Sequence, residues 1–147
     1  IRDACCWPPT GKRGVGFSRA NLFGKHFIEY AKEAQSPLLV AQLEHIRAVE
    51  NLEEIISVKG LDAVFIGPYD LSASMGLTGQ FEHKSFHEVM SRVLETCQDH
   101  KISSGIHLIQ PDPEELRLRI HEGHRFIAYS IDSVFLINGS KSPNVIV

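Results

Sequence analysis

Glu44 closes one apolar run, PLLVAQLE (37–44), and Asp70 follows another, DAVFIG (62–67), so two carboxylates stand where two buried strands end. On neighbouring parallel strands both would face one rim, and two acids so placed can hold one hard divalent cation. Magnesium or manganese takes oxygen ligands, keeps several waters, and needs only one or two protein carboxylates when a substrate adds oxygens of its own. A cation there can also stabilise an enolate. Plainer readings stand beside this one. Asp70, with Ser72 and Ser74 nearby, could cap a short helix starting at Leu71, and Glu44 could be a solvated strand end. Gln42 lies two residues before Glu44 and shares its strand face, where its amide could orient a small acid or simply be satisfied by a neighbouring strand. After Gly67 and Pro68, the backbone amides of Tyr69 and Asp70 can point into the same mouth, which suits a carboxylate.

Eight histidines and three cysteines offer further chemistry. His107 sits late on a third apolar run and could line the mouth, or be a hydrogen-bonded structural histidine. His45 should face away from the mouth by strand alternation. His83 and His87 are four apart, as ligands on one helical face would be, but no third ligand is implied and zinc is disfavoured. His121 and His124 straddle Gly123 and read as solvated. Cys5 and Cys6 have no evident histidine or aspartate partner, so a nucleophile is not indicated. Together with Cys97 they form no even disulfide set and no paired metal knuckle, which reads as reduced thiols in the cytoplasm.

The elements that must position these groups recur as an apolar run followed by a helix-length segment, four times from Pro37 onward. PLLVAQLE leads into IRAVENLEEIISVKG, where Ile46, Val49, Leu52, Ile55 and Ile56 keep helical spacing and Gly60 supplies a stop. DAVFIG leads through a loop into SFHEVMSRVLETCQDH, whose Phe86, Val89, Met90, Val93, Leu94 and Cys97 form one apolar face. ISSGIHLI (102–109) precedes DPEELRLRIHEG, with Asp112 as N-cap, Pro113 at the first helical position and Gly123 as terminator. RFIAYSID (125–132) is the fourth run, and SVFLING closes with a helical turn. Before Pro37 the chain is turn-rich, with ANLFGKHFIEYAKEA a helix interrupted by Gly24. Alternating units of this kind imply an α/β fold with parallel strands and right-handed crossovers, either doubly wound or part of a barrel. No GxGxxG follows a strand, and the polar groups Gln42, Glu44, Asp70, His107 and Asp132 gather at strand C-terminal ends, where a barrel carries its chemistry.

The 147 residues suit one domain with its own core, 43% of them apolar. A net charge of −3 with acids and bases interspersed excludes a nucleic-acid or anionic-membrane footprint, and no apolar stretch approaches the roughly 20 residues that span a bilayer. The sequence enters at Ile1 with no cap or turn before it, and an N-terminal part is expected to be missing.

The blocks PPTGKRGVG, QLEH, AVENLEEIISVKGLDAVFIGPYDLSASMGLTGQ, the Gly105–Ile106 pair and FIAYSID together resemble the HpcH/HpaI aldolase family over nearly the whole chain. That resemblance implies a TIM (β/α)8 barrel, of which this chain covers about the second half, strands five to eight, as a single domain over 1–147 with no second one. It implies metal-dependent aldol cleavage or addition of 2-oxo acids, 2-keto-3-deoxy sugar acids or 4-hydroxy-2-oxo acids, giving pyruvate and an aldehyde through a metal-stabilised enolate. Glu44 and Asp70 match the family's metal carboxylates, with magnesium or manganese foremost and cobalt or zinc possible. Gln42 matches the glutamine on the pyruvate unit, and the backbone at Tyr69 and Asp70 the amides that hold its carboxylate. The catalytic base and a substrate-clamping arginine belong to the absent N-terminal half, so no residue here takes either role. A homo-oligomer, a hexamer by resemblance with the last helix swapped, is expected.

Two departures stand out. Trp7 replaces the usual tyrosine before two prolines, and His107 replaces a leucine at the pocket, which points to a more polar acceptor aldehyde. Two rival readings remain at this level. One is an inactive half-barrel serving as a binding or assembly module. The other is a citrate lyase beta or malyl-CoA lyase-like enzyme, for which a basic coenzyme A patch would be the sign, and none is seen.

Overall fold

The computed structural model describes residues 1–140, so the end of the expected domain, residues 141–147, lies outside the described residues. Four parallel strands, β1 (Val40–Leu43), β2 (Ala63–Ile66), β3 (Ser103–Leu108) and β4 (Phe126–Tyr129), pair in the order β1-β2-β3-β4. An order that never reverses, joined by right-handed crossovers, places the intervening helices on one side of the sheet. This is the barrel arrangement; a doubly wound sheet would reverse direction. Strand order thus agrees with the barrel to which the strand-end polar groups and the resemblance point.

The register aligns Leu43 with Ile66, Ile66 with Ile106 and Ile106 with Ile127, so the helix-facing row is apolar across the sheet. Leu43 and Ile66 are fully buried there, among Val64, Leu71, Phe86, Val93 and Leu108. Removing each such side chain from water stabilises the fold by about 1.5–3 kcal/mol. The adjacent row, Gln42, Phe65, Gly105 and Phe126, faces the other way. Phe65 and Phe126 meet edge to face at 5.6 Å, across the intervening strand. Gly105 permits this, because a Cβ there would fall 2.3 Å from the Phe126 carbonyl oxygen.

The helices follow the expected signals with three differences. The segment after β1 is two short helices, α3 (Ile46–Glu50) and α4 (Leu52–Ile56), rather than one. Asn51 breaks it at φ −103°, ψ 21°, its side-chain amide donating to the Arg47 carbonyl at 2.6 Å; a short amide that competes for backbone groups disfavours a helix interior. The helix after β2, α5 (Pro68–Ser74), begins three residues earlier than Leu71, with Pro68 at its first position, where proline's fixed φ and missing N–H are tolerated. Helix α6 (Lys84–Asp99) follows, and His83 caps it by accepting from the Ser85 amide, which gives that histidine a structural role. Helix α7 (Pro113–Glu122) is capped as expected by Asp112 and ended by Gly123 at φ 116°. The last helix among the described residues, α8 (Asp132–Gly139), replaces the expected single turn. Before β1, a single-turn helix α1 (Arg2–Cys5) and an irregular 3-10 segment (Arg19–Gly24) precede α2 (Phe27–Glu33), with the break expected near Gly24. Trp7 is buried there against Phe27 and Tyr30.

Candidate functional site

Strand alternation puts Gln42 and Glu44 on one face at the C-terminal end of β1, and the structure joins them: Gln42 Nε2 donates to Glu44 Oε1 at 2.7 Å. Both side chains are exposed. Glu44 lies against the start of α5, its Oε1 3.1 Å from where a Cβ on Gly67 would stand. Gly67 is itself anchored to β1 through its amide, which donates to the Leu43 carbonyl at 3.1 Å. The strand-end glycine therefore holds the two strand ends together at the carboxylate.

Asp70 is the third residue of α5, exposed, and its side chain makes no capping hydrogen bond. The cap for a helix starting at Leu71 is thus corrected: the helix starts at Pro68, so Asp70 is inside its first turn rather than before it. Its neighbours brace the turn instead. Ser72 Oγ donates to the Tyr69 carbonyl at 2.8 Å and accepts from the Gly79 amide at 3.1 Å. Ser74 Oγ accepts from the Ile46 amide at 2.9 Å, tying α3 to α5. Each serine thus links α5 to a segment outside it. The amides of Tyr69 and Asp70 fall among the first helical N–H groups, which have no partner within the helix.

His107 faces the same side of the sheet as Phe65, with ring centroids 6.1 Å apart. Its Nε2 lies 3.3 Å from the Ser130 carbonyl oxygen; a carbonyl can only accept, so that nitrogen carries the proton. His107 and Tyr69 line one cavity of about 270 Å3 over the end of β3, with Pro68, Phe81, Phe86 and Arg119. Gln42, Glu44 and Asp70 do not line it. Of the residues that sequence placed at a single mouth, Tyr69 and His107 thus line the cavity, while Gln42 and Glu44 pair beside Gly67 and Asp70 stands in the first turn of α5. Arg119 is held by Glu115 at 2.6 Å and Glu122 at 2.8 Å, and no pattern in the sequence marked it as a wall residue.

His124 departs from expectation. It is 1% exposed rather than solvated, because the turn at Gly123 folds it under the sheet, where Nδ1 lies 3.1 Å from Ser104 Oγ. Burial, more than the repulsion of Arg119, pushes its pKa down to about 4. Cys97, buried beside the same serine, is pushed up to about 11 by burial, which keeps it a thiol at neutral pH and no nucleophile. That cluster sits at the N-terminal ends of the strands, away from the carboxylate rim.

Among the described residues, no three histidine, cysteine or acidic side chains come together as a metal cage. Glu44 and Asp70 are both exposed, and one or two carboxylates are enough for a magnesium-like ion that takes its other ligands from water and substrate. No helix among the described residues is long and apolar enough to cross a membrane.

A family model described as HpcH/HpaI aldolase/citrate lyase matches residues 1–139. A hydroxypyruvate/pyruvate aldolase of Roseobacter denitrificans is 38% identical over 143 residues, 95% of this chain and 54% of that protein. A 2-keto-3-deoxy-L-rhamnonate aldolase of Salmonella paratyphi B is 35% identical over 138 residues, 91% of this chain and 50% of that protein. The crystal structure of an HpcH/HpaI aldolase/citrate lyase family protein from Burkholderia cenocepacia superposes with a TM-score of 0.80 at 32% identity, covering 92% of this chain and 54% of that one. The chain spans about half the length of the relatives it matches.

Proposed function

The chain belongs to the HpcH/HpaI aldolase/citrate lyase family, and on that premise we propose that it forms the cation- and oxo-acid-holding half of a carbon–carbon lyase. As the C-terminal half of one barrel, it would act on 2-keto-3-deoxy sugar acids or 4-hydroxy-2-oxo acids to give pyruvate and an aldehyde. The observation that carries this reading is the rim itself: Glu44 seated against Gly67 and held by Gln42, next to the helix turn that bears Asp70.

Glu44 and Asp70 would hold the divalent cation, magnesium or manganese before cobalt or zinc. Such a cation, when bound, supplies positive charge where a 2-oxo oxygen becomes negative. Gln42 has a second amide hydrogen, beyond the one given to Glu44, to donate to the oxo acid. The amides of Tyr69 and Asp70 receive its carboxylate, and His107 lines the wall where the aldehyde end would lie. No residue of this chain is assigned the proton-transferring base or the arginine clamp; both belong to the other half of the barrel.

Homo-oligomeric assembly, as a hexamer, and a cytoplasmic setting belong to the same proposal. The exposure of Phe135, Leu136 and Ile137 on α8 supports a covering partner, since apolar helix surface of that kind is normally buried. A second reading, a binding or assembly module without turnover, is favoured by the same exposed apolar surface of α8.

The test is pyruvate release from 4-hydroxy-2-oxo acids by this chain, and by this chain joined to the N-terminal half of a relative's barrel, with and without a chelator. Activity should need the cation, and Glu44→Gln with Asp70→Asn should reduce it at least a hundredfold. Turnover that survives the chelator or the double substitution rejects the cation reading. Cation-dependent binding of pyruvate without turnover in either form selects the binding module.

A further inference from the structure

We propose that Gly67 is a positioning residue, kept free of a side chain so that the Glu44 carboxylate can take up a cation-binding position. The inference rests on the reading of Glu44 as a cation ligand. It is carried by three features of the residue itself.

Gly67 sits at φ −95°, ψ 93°, extended backbone that any L-residue adopts. Its conformation therefore does not call for glycine, unlike that of Gly123 at φ 116°. What a Cβ would meet is equally specific. The three nearest atoms all belong to Glu44, with Cγ at 3.0 Å, Oε1 at 3.1 Å and Cδ at 3.5 Å. At Gly105, by contrast, the obstacle is a backbone carbonyl that cannot yield. Finally, the oxygen crowded at Gly67 is the one Gln42 holds at 2.7 Å. A methyl group would push Oε1 out of the Gln42 hydrogen bond.

Glu44 is exposed, so its side chain can swing away, and the displacement falls on the carboxylate rather than on the fold. A cation with few protein ligands is sensitive to such a shift. Magnesium demands near-ideal octahedral geometry with oxygens at about 2.0–2.1 Å, so a displacement of a few tenths of an ångström is felt directly. The ligand class is a hard divalent cation, and the residues that place its carboxylate are Gly67 behind and Gln42 beside it.

Manganese titration of the chain by calorimetry, paired with thermal unfolding, tests this. Gly67→Ala should weaken manganese binding at least tenfold while the unfolding midpoint stays level or rises. Adding Glu44→Asp, one methylene shorter, should recover part of that loss in the Gly67→Ala background, though it weakens binding alone. Glu44→Gln separates the two claims. If it binds manganese as the parent does, or if the parent binds none, the reading of Glu44 falls and this inference with it. If binding depends on Glu44 yet Gly67→Ala matches the parent, only the positioning role of Gly67 is overturned. A fall in the unfolding midpoint of Gly67→Ala would show that the methyl strains the fold itself, and would overturn it too.

Discussion

A step of one residue along β1 and β2 leads from Gln42 and Phe65, on the open face of the sheet, to Leu43 and Ile66, which are fully buried under helices. The helix-covered face is closed within this chain over β1 to β3, where Leu43, Ile66 and Ile106 are buried, and only half-closed at Ile127 of β4. The other face shows Gln42 in the open, Phe65 half-buried and Phe126 40% exposed. In a barrel of this family the second face is the interior, and its upper end is where chemistry belongs. Stability and candidate chemistry thus occupy opposite faces of the same strands, separated by the period-two alternation of side chains. A side chain lost from the covered face should therefore cost folding energy, and one lost from the open face should cost function first.

The largest effect expected from that division is on the covered face. Ile66→Ala removes a fully buried side chain from the centre of the core and should cost roughly 2–5 kcal/mol of unfolding free energy, measured by denaturant titration. A cost under about 1 kcal/mol would mean that this face is not the core.

The covered face also carries the one buried histidine among the described residues, His124, and hence a pH dependence. Its pKa is lowered in the fold to about 4 from the ordinary 6.5, chiefly by burial. Between those values the unfolded chain binds the proton that the folded one refuses. Stability is therefore full above about pH 6.5 and falls as pH drops toward 4, by up to about 3 kcal/mol at the limit. Unfolding curves at stepped pH should show that loss in the parent, and a His124→Gln variant should flatten it. An unchanged slope in the variant would assign the acid sensitivity elsewhere.

On the open face the parallel substitution should be milder. Phe126→Ala deletes an edge-to-face partner of Phe65 from a partly exposed ring, worth about 1 kcal/mol. A cost equal to that of Ile66→Ala would break the comparison, since it would make the open face a core in its own right.

How much of this was legible in the sequence follows the same division. Covered-face strands announce themselves by apolar runs, and Asp112, Pro113 and Gly123 mark a helix from end to end because capping chemistry is local. The break at Asn51 and the start of α5 at Pro68 also depend on local chemistry, but there apolar spacing and a nearby carboxylate pointed the other way. His124 could not be read, because its burial comes from the way a turn returns the chain under β3, a contact twenty residues distant along the sequence. Gly67 and Glu44 belong to the same class: the type of each residue was visible, but their contact depends on β1 and β2 lying side by side. That Glu44 follows β1 and Asp70 follows β2 was legible; that neither lines the His107 cavity was not, since it depends on which side chains the loops after β2 and β3 bring inward.

The smallest expected effect is the one that best separates structure from chemistry on the open face. His107 both lines the cavity and donates to the Ser130 carbonyl, so its ring has a structural partner as well as a place at the wall. His107→Leu removes one neutral hydrogen bond, which costs roughly 1 kcal/mol of stability. If the ring also faces the acceptor aldehyde, the same change lowers kcat/KM for a hydroxylated aldehyde relative to an alkyl one several-fold, the scale on which a single pocket contact discriminates, about 1–3 kcal/mol. Measured in the catalytically competent assembly, a drop in stability with an unchanged kcat/KM ratio makes His107 a pin for the end of β4. A shifted ratio makes it a wall that reads the substrate, because a merely structural bond would lower both rates together.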